Sequence, residues 1–185
     1  MPPIPVSIFA TLQPADLKVV AFLVGRALAY LRPGFYMRYA LQSGTSLSTW
    51  FLAGVRRIMT NFPVPPNYVQ PVSDAVEVLW RQLDRPATDK LGDQVAAFLS
   101  SVGGGLDLKR WGYAVDLTAD RAGLIVCNNI DIASKTLKSS PAESWMASTK
   151  DRLREMILYG VSENYFALRD KMGLRIVVET GEKAE

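Results

Sequence analysis

The chain has 185 residues, enough for one domain with a substantial core, and 49% apolar against 21% charged residues give it a globular rather than a disordered composition. Its net charge of +3 is too mild to argue for nucleic acid. With no histidine and one cysteine, it excludes His-based acid/base and nucleophile chemistry, an intramolecular disulfide and a structural Cys-based zinc site.

Taken in chain order, residues 4–10, "IPVSIFA", alternate weakly and suggest a short strand. The N-terminal stretch has neither the charged region nor the continuous apolar core of a signal peptide, and with the single cysteine this favours a cytoplasmic setting. Pro14 and Asp16 then open a helix that should run to Leu31 and stop at "RPG". Its most apolar window, residues 19–31, spans about 13 positions and is broken by Arg26. A membrane crossing needs roughly 20, so a buried helix is expected and no span.

A second helix is predicted over residues 47–59. The next stretch, "NFPVPPNYVQP" at 61–71, holds four prolines and reads as a long surface loop. Helical spacing returns over 72–84 and 88–102, followed by "GGG" at 103–105 as a break. A long helix follows through 111–127, then the cap-and-turn "NNID" and a short helix to Leu137. "PAESWMASTKDRLREMILYG" predicts a helix from Pro141 to Tyr159 with Gly160 as terminator. Ser162 as N-cap and Gly173 past the end bracket another, and "LRIVVE" at 174–179 suggests a short strand. The whole is expected to be mainly α, a single-domain helical bundle over residues 1–180 with at most a small β element, then a polar tail at 181–185.

The chemistry-bearing stretch is "WGYAVDLTADRAGLIVC", residues 111–127. On a helix, positions four apart share a face. The face through Asp116 reads Gly112, Asp116, Ala119, Asp120, Gly123 and Cys127, a small-residue stripe carrying two acids. The other side offers Trp111, Val115, Leu117, Leu124 and Val126 to a core. A small stripe admits a close neighbour, and carboxylates desolvated by it would need partners. Metal ligation and pairing with a cation from the neighbouring helix are both open; so is a plain solvated face. Upstream, Ala21, Gly25 and Ala29 form a second small stripe beside Arg26 and Tyr30, themselves four apart.

"DLTADRAGL" resembles the third-ligand helix of the HExxH zinc metallopeptidases of the prenyl-protease and HtpX type, which carries E-x-x-A-D. Asp116 stands at the ligand Glu, Ala119 matches, and Asp120 matches the supporting Asp. "FLVGRALAYLRP" is similar to the family's first motif with every chemical position replaced. Aligned on Gly25, Arg26 stands at the first His, Ala27 at the catalytic Glu and Tyr30 at the second His. The motif-bearing parts cover about a tenth of the chain; more loosely, the whole is similar to domains attached to bacterial tetratricopeptide-repeat proteins. The resemblance implies a metallopeptidase-like core and a relic site of Arg26, Ala27, Tyr30, Asp116 and Asp120, with no catalytic residue, metal or cofactor. An arginine has no lone pair to offer zinc, and an alanine cannot serve as general base. The expected replacement is Arg26 pairing with Asp116, with Asp120 and the Tyr30 hydroxyl completing the network.

The function so implied is a pseudoenzyme retained as a protein-interaction or scaffold module. Its contact surface would be a groove at the old site or the 61–71 loop with Phe62 and Tyr68. Two alternatives stand beside it: a metal-dependent peptidase with unorthodox ligands, using Asp116, Asp120 and a third acid, and a weak nucleic-acid binder. The latter rests on the first half, where residues 1–90 carry nine Lys/Arg against five Asp/Glu, Arg38, Arg56 and Arg57 among them. The bland reading of these arginines is solvated surface. Asp84, Asp89, Asp93 and Glu77 read as solvated acids, Cys127 as a small core residue, and Trp50, Trp80, Trp111 and Trp145 as packing.

Overall fold

The computed structural model describes residues 14–41, 43–101, 107–139 and 147–174. The strand expected at 4–10, all but Leu174 of the one expected at 174–179, the "GGG" break, Trp145 and the 181–185 tail lie outside them. The described residues are helical and contain no strand, so the chain is mainly α. The helices are α1 (Pro14–Tyr30), α2 (Tyr36–Ala40), α3 (Gly44–Ile58), α4 (Val69–Gln82), α5 (Arg85–Ser101), α6 (Leu108–Cys127), α7 (Ile130–Ser139), α8 (Thr149–Gly160) and α9 (Glu163–Lys171). None is long and apolar enough to cross a membrane.

Helix starts are set by short polar side chains that accept a bond from an N–H in the first turn, which has no partner inside its own helix. Ser43 accepts from Ser46 N at 3.0 Å, Asp84 from Ala87 N at 2.9 Å and Asp107 from Arg110 N at 3.0 Å. Asn129, Ser148 and Ser162 do the same for α7, α8 and α9. These caps move three predicted boundaries outward: α3 starts at Gly44, α5 at Arg85 and α6 at Leu108. One moves inward. Ser148 is extended (φ −63, ψ 150) and caps α8, which begins at Thr149; the part of the expected helix at 141–146 lies outside the described residues.

The proline-rich stretch is shorter as a loop than expected. A 3-10 turn spans Pro66–Tyr68 and α4 begins at Val69, taking Pro71 into its first turn. Proline is tolerated there because that N–H would have no intrahelical acceptor. The single turn of α2 is an addition; five residues are too few to show a period. α9 ends as expected, with Gly173 at φ +68.

Two compact units emerge: Met1–Arg32 with Val115–Glu185, and Pro33–Ala114. In the second, here called unit 2, α3 packs on α4 and α5. Its buried centre is Ala53, Val72 and Ala75, with Trp50, Leu52, Val64, Tyr68, Val76 and Leu79 around it. Phe51 and Phe98 join α3 to α5 edge to face, 5.4 Å between ring centres. In unit 1 the apolar core is Phe22, Leu124, Ile125, Cys127, Ala133, Leu137, Met156 and Tyr165, drawn from α1, α6, α7, α8 and α9.

Candidate functional site

The site lies in unit 1, where α1 and α6 cross. Crossing is close because both faces are small, as the two stripes predicted. A Cβ added at Gly25 would fall 2.8 Å from the Ala122 carbonyl oxygen and 2.9 Å from Gly123 Cα. One at Gly123 would meet Phe22 Cδ2 and the Phe22 carbonyl oxygen at 2.7 Å, and Arg26 Cγ at 2.8 Å. Backbone is therefore in contact with backbone, and only glycine fits on either side. Ala29 and Ala119 are buried in the same stripes.

Directly along this contact sit the acids. Asp116 and Asp120 are each 1% exposed, so both carboxylates have left water and must be compensated inside the protein. Arg26 Nε lies 3.0 Å from Asp120 Oδ1, an ion pair rather than an aligned hydrogen bond. The Tyr30 hydroxyl donates to Asp116 Oδ1 at 3.0 Å. Arg152 of α8 closes the group: its Nε donates to Asp120 Oδ2 at 2.8 Å and its Nη2 to Oδ1 at 2.7 Å. That is the two-pronged fit of a guanidinium to a carboxylate, with 3% of Arg152 exposed.

The expectation sets Arg26 against Asp116 with Asp120 and Tyr30 completing the network; the structure puts the Arg26 Nε on Asp120, one turn further along α6, and the Tyr30 hydroxyl on Asp116. The reason is direction. Tyr30, later in α1, meets the earlier acid of α6, and Arg26 the later one, so the helices run antiparallel at the contact. Ala27 does not join the group: it is exposed on another side of α1. Burial pushes the Tyr30 phenol up to about 12, the Asp116 carboxylate adds to the rise, and Arg26 opposes it.

Arg152 is the member that sequence reasoning missed. It sits in the charged run "KDRLRE", where an arginine reads as surface. The signal that could have found it is its spacing from Met156, four residues on, which shares its face and is 1% exposed. Another buried arginine, Arg169 of α9, donates from Nη1 to the Ile125 carbonyl in the last turn of α6. A cation at a helix C-terminus also meets the negative end of the helix dipole. Arg121 pairs with Glu155 at 3.5 Å, on the half-exposed margin of the same unit.

The partner-binding candidates lie in unit 2 and have intramolecular contacts there. Tyr68 packs against the apolar centre, and Phe62 is half-buried. Arg56 Nε donates to the Thr60 carbonyl at 3.2 Å in a C-terminal turn. The Arg57 guanidinium centres 3.3 Å over the Trp80 ring and its Nη2 donates to Thr88 Oγ1 at 3.3 Å. Arg38 is buried as well, at 5% exposure, instead of being a solvated charge. Trp80, read as core packing, is 61% exposed and serves as that arginine's platform. Val126 is likewise exposed, at 45%, whereas Val115, Leu117 and Leu124 are buried as expected. Cys127 is buried, its thiol pushed up by burial, with Sγ 3.5 Å from the Asn129 carbonyl.

No family model, curated protein or solved structure matches the chain. What the site can do must therefore be read from its own chemistry. Among the described residues no three His, Cys, Asp or Glu side chains converge to hold a metal ion. The two acids that come nearest to such a set are turned to a pair of guanidinium groups and a phenol.

Proposed function

We propose that this chain is a non-catalytic relative of the HExxH metallopeptidases, retained as a protein-interaction or scaffold module. One observation carries the reading: at the position of the family's supporting Asp, Asp120 is held by Arg26 and Arg152 together. Position 26 stands against 120, and position 30 against 116. In the family the positions of 26 and 30 are the two zinc-binding histidines, that of 116 the ligand Glu and that of 120 the Asp that helps hold the site. Here a cation and a phenol take the histidines' places, and the charge that a metal would neutralise is neutralised by arginine. Neither side chain offers zinc a lone pair of the kind it takes from imidazole.

The reading is tested in two steps. Protein purified without chelator should contain no stoichiometric zinc by elemental analysis; one zinc per chain, or hydrolysis of a peptide library, would overturn it. The variant Arg26→His/Ala27→Glu/Tyr30→His/Asp116→Glu then restores the motif. It should gain zinc, measured by the same method, if the register has been inherited. A folded variant with no zinc affinity would count against the ancestry. The interaction role is tested by a pull-down under native conditions. Substituting the exposed Asn67 in the proline-rich loop should reduce capture if that loop is the contact, with the melting temperature unchanged.

A further inference from the structure

We draw no further inference here: the strongest candidate, the outward apolar stripe of α1 formed by Leu17, Val24 and Leu28, carries nothing because nothing in the structure shows what covers it.

Discussion

Unit 1 and unit 2 are both built of helices, yet they solve the contact between helices in opposite ways. In unit 2, α3 and α4 meet through side chains, and the interior is Ala53, Val72 and Ala75 ringed by Trp50, Tyr68 and Leu79. In unit 1, α1 and α6 touch through Gly25 and Gly123, leaving no space between the helices for a large side chain. The polar groups flanking that contact are buried by the approach itself, and Arg26, Asp116, Asp120 and Arg152 are all 4% exposed or less. Close backbone packing and a compensated charge cluster are thus two aspects of one arrangement. Such a cluster is weak evidence for net stability, but taking one member out is costly.

The comparison breaks most sharply at Asp120. Asp120→Ala leaves two buried guanidinium groups without their shared carboxylate and should cost roughly 3–5 kcal/mol in urea unfolding. Arg152→Met alone should cost a comparable amount, and the double variant much less than the two together. Additive losses would show that the pair is not coupled.

Next in size come the glycines. Gly123→Ala and Gly25→Ala should each lower stability by about 1–3 kcal/mol, since the clash is with backbone and the helices must separate. Gly54→Ala, in α3 of unit 2, meets nothing within 4 Å and should instead stabilise by about 0.5–1 kcal/mol. Opposite signs at helical glycines would be direct proof of the contrast; equal signs would remove it.

Tyr30→Phe comes third, at about 1 kcal/mol for a hydroxyl lost from a buried carboxylate. It also has a pH signature. The folded phenol titrates near 12 and the unfolded one near its ordinary value of about 10. The stability due to the neutral form is therefore complete below about pH 10 and is lost as pH rises toward 12. Burial raises Tyr159 and Tyr165 also, so the quantity to measure is the difference between wild type and Tyr30→Phe across pH 9 to 12. A difference that does not shrink with rising pH would contradict the assignment. The smallest effect is expected in unit 2: Trp80→Ala, losing an exposed platform for Arg57, should cost about 0.5–1 kcal/mol.

Much of the fold could be read in advance because its signals are local. Asn129 and Ser162 mark their helix starts this way; Ser43, Asp84, Asp107 and Ser148 carry the same local signal, but apolar spacing alone does not register it, because a cap lies before the first periodic residue. The acid-bearing stripe of α6 and its match in α1 follow from a period of 3.6, and their close contact follows from the residues being small. The exposure of Trp80 is not legible there, because helical spacing places a side chain on a face without saying whether that face is covered. Arg152 escaped because an arginine has the same local appearance on a surface as in a buried pair.

By itself, then, the sequence determined a mainly α chain, where most of its helices end, and the presence of two acids, an arginine and a tyrosine on facing small stripes. Tertiary structure alone decided which of them meet. Helix periodicity sets the face a residue occupies, but the partner depends on the direction and register of the crossing. The antiparallel approach of α1 and α6 sends Arg26 to Asp120 and Tyr30 to Asp116, and α8 then brings Arg152 from 32 positions away to the same carboxylate.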